Sequence, residues 1–362
     1  MTRPTDPRAP DARGPTAQAP GVRARSKGRA GTALTGALLA VLLVASVTLA
    51  VAIGPASLSA TDVWGSVLHH LGFGESPLPG LLDGVVWELR LPRVLTAAGV
   101  GAGLAISGAV MQAVTRNPLA DPYLLGLSSG ASLGAVAVLL LGLGLVLPLA
   151  AFAGAMLALV ATLGLASSLG AITPTRTVLA GLAVSALAGA ATSFVIFWSA
   201  QGDAYREILG WLMGSLGGAT WWSVLIVAVA IAVVGTPILV TGRVLDAFAF
   251  GDTAASALGV NVNGTRWLLL AGTAVLTGAM VSVSGSIGFV GLILPHAVRL
   301  VVGGAHRALL PLAALSGAVF LIWADTLART VFDPREIPVG IITALIGAPV
   351  FAVLLWRRKA IA

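Results

Sequence analysis

The sequence predicts an all-α polytopic membrane protein of about ten transmembrane helices, and three observations predict it. Of the 362 residues 57% are hydrophobic and only 10% charged, with a mean hydropathy of +0.98. A water-soluble domain of that length has too little interior to hide so much apolar surface. Second, no charged residue occurs between Asp121 and Arg176, enough chain for two bilayer crossings at about 20 residues each. Third, 45 glycines occur without the apolar–polar alternation that a barrel strand requires, so the spans are packed helices.

Taken in order, the expected spans are 33–53, 86–114, 122–142, 146–170, 176–199, 220–241, 266–286, 288–304, 309–330 and 338–357. The first is longer than the h-region of a signal peptide, about 7–15 residues, although Ala50-Val51-Ala52 resembles a cleavage site; it reads as a retained helix. Residues 1–30 carry seven basic residues against Asp6 and Asp11 in a Pro/Arg/Ala-rich stretch, the pattern of a disordered tail that can also meet anionic lipid headgroups. The chain closes on Arg357, Arg358 and Lys359. Basic clusters beside apolar spans are topology signals, which accounts for the net charge of +7 without nucleic acid and places both termini in the cytoplasm. Arg116, Arg176, Arg243, Arg266 and Arg307 then fall on the inner side, with Trp267 and Trp356 at the inner boundary. Trp87, Trp198, Trp211, Trp221 and Trp222 mark the outer one.

Small residues predict the packing. Gly126, Gly130 and Gly134 share one face of the third span, and Gly99 and Gly103 one face of the second, letting backbones approach closely where water gives no driving force. A weak internal echo joins VGAGLAISGAVMQ (100–112) to LTGAMVSVSGSIG (276–288); with five spans between them, the halves form an inverted repeat.

Little in the chain suggests catalysis. His69-His70 has no carboxylate at helical or hairpin spacing, so a solvated pair is expected rather than a metal site. Lys27 and Lys359 are the only lysines, and neither follows a glycine, so a phosphate-cradling loop is excluded. Absence of cysteine removes disulfides and thiolate metal sites. The most deeply placed acid, Asp325, precedes Arg329 by one helical turn and can neutralise itself there. No carboxylate is therefore left for ion coupling, and the energy source is expected on another subunit, with an ion-coupled secondary transporter as the rival of a different class.

One inner loop suits a partner. In GRVLDAFAFGDTAASALGVNVNGT (242–265), Asp252 can start a short helix that Gly259 ends. Leu245, Phe248 and Phe250 are expected to display apolar area, either as an amphipathic turn on the membrane surface or as a knob for a cytosolic groove.

These residues resemble a known family. LRLPRVLTAAGVGAGLAISGAVMQAVTRNPLADPYLLGLSSGAS (89–132), FGDTAASALGV (250–260), GSIGFVGLILPHAVRLVVGGAHRALLP (285–311) and REIPVGIITALIGAPVFAVLLWRR (335–358) resemble the FecCD-type permease subunits of ABC importers for ferric siderophores, haem and cobalamin. The likeness runs from residue 31 onward. It implies a ten-helix permease domain over 31–362 in the plasma membrane, paired with a second permease subunit, identical or related. It also implies two cytosolic ATPase subunits that use ATP, no cofactor in this chain, and an external substrate-binding protein, with ferric siderophore as the expected cargo. By resemblance, Leu245, Asp246, Phe248, Phe250, Gly251, Asp252, Ala255, Leu258 and Gly259 form the ATPase-coupling loop. Arg90 and Arg93, with Pro92 limiting their directions, and Arg329 would receive glutamates of the binding protein. The conduit would follow 176–199 with help from the last span, lined by Ala, Gly, Ser, Thr and Val.

Overall fold

The computed structural model describes residues 28–359 apart from 57, 144–145, 169–172 and 200–201. The tail expected at 1–30 thus lies almost wholly outside the described residues. Each expected span has a helix: α1 (Arg29–Ala52), α3 (Gly80–Val114), α4 (Leu127–Leu140), α5 (Leu147–Ser168), α6 (Pro174–Ser199), α8 (Trp221–Val240), α11 (Val262–Ser284), α12 (Val290–Val302), α13 (His306–Thr330) and α14 (Val339–Lys359). The remaining helices are α2 (Ala60–His70), α7 (Asp203–Leu212), α9 (Gly242–Ala249) and α10 (Asp252–Ala257). Apolar spacing alone did not announce α2 or α7. Both are short, and α2 begins on a local signal, a capping box in which Ser59 and Asp62 bond each other's backbone N–H. Those bonds hold the exposed Asp62 carboxyl below its usual range.

α3 is the axis of the molecule, with 78% of its most apolar stretch buried. It packs on α13, α11, α12 and α8, while α4, α5 and α6 form an adjoining layer and α1 lies on α13. Close approach explains the packing glycines. A Cβ on Gly130 would strike the Gly154 carbonyl and one on Gly134 the Ala150 carbonyl, both on α5. Gly99 faces Val227 of α8, and Gly103 faces Met280 of α11. Gly126 departs from its expected role. It stands before α4 rather than within it, at φ +81°, ending the turn Pro122–Leu125 that Asp121 caps. Its backbone must be left-handed there, which glycine adopts without a Cβ penalty.

The faint sequence echo has a structural counterpart. Both α3 and α11 give way to a break in the helix, residues 115–126 and 285–289, and each break precedes a short span, α4 or α12. Polar side chains tie the breaks together. The Tyr123 hydroxyl donates to the Ile287 carbonyl (3.0 Å) and accepts from its N–H (3.2 Å), while Ser128 and Ser286 hydroxyls lie 2.7 Å apart. Gln112 donates to the Leu292 carbonyl and accepts from Arg299. Irregular backbone inside a membrane protein must be satisfied in this way, because lipid offers no hydrogen bonds.

Candidate functional site

Polar and reactive side chains concentrate at the two ends of the helices. At one end, α3 widens after its first turn into a π-type stretch over Val85–Arg90 and carries Pro92 in the turn that follows. Arg90 and Arg93 leave this region in different directions. Arg90 is buried, and its guanidinium donates to the carbonyls of Val51 (2.9 Å), Ala52 (3.2 Å) and Ala56 (3.3 Å). Arg329 reaches the same place from α13, donating to Ile53 (3.0 Å) and Ala50 carbonyls. Two cations therefore meet the orphan carbonyls and negative dipole end of α1.

Arg93 turns instead to α13. Its Nε and Nη2 donate to the two Asp325 oxygens at 2.9 and 3.0 Å, and Nη1 donates to Glu336 at 2.7 Å. The Asp325 side chain is 2% exposed, that of Arg93 12% and that of Glu336 52%. A cavity of about 610 Å³ opens beside them, bordered by Arg90, Arg93, Arg329, Asp333 and Glu336. Each of the three arginines is engaged within the chain. One expectation needs correction. Asp325 does not find its hydrogen-bond partner in Arg329 one turn away; its hydrogen bonds go to Arg93, 232 residues distant in sequence, because helix packing brings α3 against that face of α13. Nothing in local spacing announces that pairing, or the part played by Glu336.

The His69-His70 pair also differs from a solvated one. His70 stacks on Trp87 with centroids 4.3 Å apart, and its Nε2 lies 3.5 Å from Asp83, a carboxylate supplied by the start of α3. His69 meets the Gly74 carbonyl. Trp87 in turn packs on Trp221 at 4.6 Å. Among the described residues no three His, Cys, Asp or Glu side chains gather to hold a metal.

The opposite end holds α9 and α10. The expectation that Leu245, Phe248 and Phe250 all display apolar surface is corrected by burial: Leu245 and Phe248 are at 0% exposure, and Ala255 with them, while Phe250 is 76% and Leu258 69% exposed. The buried pair anchors the loop and the other two form its tip. Gly251 (φ +93°) and Gly259 (φ +83°) bracket α10 with left-handed backbone. Charges rivet the base. Asp246 accepts from the His306 backbone N–H at 2.8 Å and lies 2.8 Å from its Nδ1, capping α13 from outside the helix. Asp252 accepts from Arg266 of α11 at 2.8 Å, with Arg116 at 3.7 Å, and the Arg266 guanidinium sits 5.5 Å from the Phe248 ring centroid. Arg266 and Arg116 were legible only as inner-side residues, and nothing in the sequence marked His306 as a clamp on this loop.

The model of the FecCD transport family matches residues 42–357. The chain belongs to that family. Over 286 residues it is 49% identical to the cobalamin import system permease protein BtuC of Halobacterium salinarum, covering 78% of this chain and 76% of that one. It is 44% identical to the Fe(3+) dicitrate transport system permease protein FecD of Escherichia coli, covering 76% and 86%. A solved inward-facing conformation of a putative metal-chelate type ABC transporter superposes with a TM-score of 0.78 at 34% identity, covering 89% of this chain and 98% of that one. The chain is thus a permease subunit of an ABC importer, a multi-pass protein of the plasma membrane that works with separate ATPase and permease subunits. Permeases of the FecCD family are not themselves enzymes, and ATP hydrolysis lies on the ATPase subunit.

Proposed function

We propose that this FecCD-family permease imports a bulky metal chelate delivered by an external binding protein, using alternating access powered by two cytosolic ATPase subunits. The observation that carries this reading is the family match over nearly every span. In this reading the α9–α10 loop is the coupling knob: a rigid, charge-riveted base presents Phe250 and Leu258 to an apolar groove. The cavity ringed by Arg93 and Arg329 is the delivery rim, with Arg90 holding the end of α1 beneath it. Both termini are cytoplasmic, as the basic clusters require.

α6 leaves most of its surface uncovered, including Leu179, Leu182, Leu187, Phe194 and Phe197. This face is bulkier than the small-residue conduit expected for 176–199. It suits a second permease subunit, identical or related, with the path between the two copies. Ferric siderophore is the cargo expected from sequence; cobalamin is the second reading, favoured by the 49% identical relative.

Two measurements test the proposal. In vesicles holding the complex purified from native membranes, ATP-dependent uptake of radiolabelled ferric siderophore and of cobalamin is compared, and uptake of either without nucleotide overturns the motor assignment. Since the chain lacks cysteine, single cysteines at Phe73 and Phe250 report sidedness directly. Labelling of Phe250→Cys by an impermeant thiol reagent from outside intact cells sinks the orientation.

A further inference from the structure

The outer cavity poses a chemical question that the docking reading leaves open. A guanidinium that is to receive a partner's carboxylate offers it paired donors, yet three of the five N–H groups of Arg93 are already committed, Nε and one on Nη2 to Asp325 and one on Nη1 to Glu336. These two carboxylates are not equivalent. Asp325 is on α13, 2% exposed, and grips Arg93 at both oxygens. Removing it would leave the cation with only the half-exposed Glu336 as its partner. Glu336 touches the same guanidinium through one oxygen, is 52% exposed, and stands in the loop between α13 and α14, where residues 331–336 all face outward. One carboxylate orients the arginine; the other occupies the edge that an incoming group would use.

We propose that Glu336 is an intramolecular stand-in for the binding protein's carboxylate. It satisfies the Nη1 edge of Arg93 while the rim is empty and is displaced when a partner acid enters. The proposal rests on the docking reading above. Displacement is cheap on the page's own geometry. An ion pair with one partner half in solvent contributes little, because water replaces the lost bond, and the Asp325 grip keeps Arg93 in place throughout. Glu336 then has the wall of the same cavity to move along, since it borders that space together with Asp333 and Arg329. The exchange has a purpose for an importer. An empty rim with an unpaired guanidinium would attract any anion outside the cell, whereas a self-occupied one admits only a partner able to present its acid in register with Arg329 as well.

The test uses the assembled permease–ATPase complex in lipid nanodiscs and the extracytoplasmic protein that copurifies with it from native membranes, produced separately as the probe. Glu336→Gln keeps the size of the side chain and removes the competing charge. Affinity of the probe is expected to rise about two- to fivefold, the range that one exposed ion pair spans, mainly through slower dissociation. Asp333→Asn removes the same charge from the same loop and cavity, and is expected to change affinity less than Glu336→Gln. Unchanged or weaker binding by Glu336→Gln overturns the stand-in, and so does an equal gain from Asp333→Asn, which reduces the effect to net charge. Arg93→Lys with Arg329→Lys keeps the cations that Asp325 needs, removes the guanidinium forks and separates the two readings, with thermal unfolding as the control for fold. If that pair leaves affinity untouched, or if no extracytoplasmic protein copurifies, the docking assignment itself falls. If it weakens binding with an unchanged melt while Glu336→Gln does nothing, only the stand-in falls.

Discussion

The two ends of this permease use charge in opposite ways. At the outer rim, the cations are the candidate contact groups, and every one is already held: Arg90 and Arg329 by carbonyls of α1, Arg93 by Asp325 and Glu336. At the inner knob, the charges of Asp246, Asp252, Arg266 and Arg116 brace the loop from beneath, and apolar tips are left uncovered. On the docking reading proposed above, meeting a partner outside would exchange one carboxylate for another, which is weak and orientation-selective. Meeting one inside requires only insertion of preformed apolar surface, which gains directly from burial. As proposed, a rim of exchange and a knob of insertion would suit a transient visitor on one side and a lasting motor on the other.

The largest expected effects test the outer brace. Arg93→Ala removes the hydrogen-bonded counter-charge of buried Asp325 and is expected to destabilise the protein by about 3–5 kcal/mol, as breaking buried pairs does, read as a large loss in thermal unfolding in detergent. A wild-type melt would show that Asp325 is not held by this arginine.

Inside, Phe248 and Phe250 should behave as opposites. Phe248→Ala removes a fully buried ring, at a cost of about 3–5 kcal/mol. Phe250→Asp should leave the melt unchanged and cut capture of the ATPase subunit at least tenfold, an order-of-magnitude loss expected for an aromatic anchor in a groove. Equal melts for the two variants, or undiminished capture by Phe250→Asp, would dissolve the distinction between anchor and tip.

Asp246→Ala is expected to cost about 0.5–2 kcal/mol, the value of a helix cap, because the Asp246 carboxylate closes the first turn of α13 across the chain. Smallest of all, Ser59→Ala should cost about 1 kcal/mol through its capping box and leave uptake normal. A transport defect there would extend the functional rim to α2.

Much of the fold was legible from residue order, for a physical reason. Lipid favours long uncharged helical runs, so the uncharged stretches marked a helix at each expected span, although α4 and α12 are shorter than a full crossing. The site was legible only in part. The arginines Arg90, Arg93 and Arg329 were singled out by resemblance to the family's motifs, and α10 by Asp252 and Gly259, a local signal. Their partners were not legible. Asp325 faces Arg93 across 232 positions, Glu336 across 243, and Arg329 reaches Ile53 across 276. The burial of Leu245 and Phe248 beside exposed Phe250 was equally hidden, because a short amphipathic loop has no periodicity long enough to say which face turns inward.

By itself the sequence determined that the chain is a multi-pass helical membrane protein, carries no phosphate-cradling ATPase motif, and has a long amphipathic loop at 242–265. Only the tertiary structure decided which charges are partners and which apolar side chains are tips. Hydrophobic length is a property of consecutive residues, read by lipid one helix at a time. Charge pairing is a property of distance in space, and distance is set only when α3, α13 and α1 have packed.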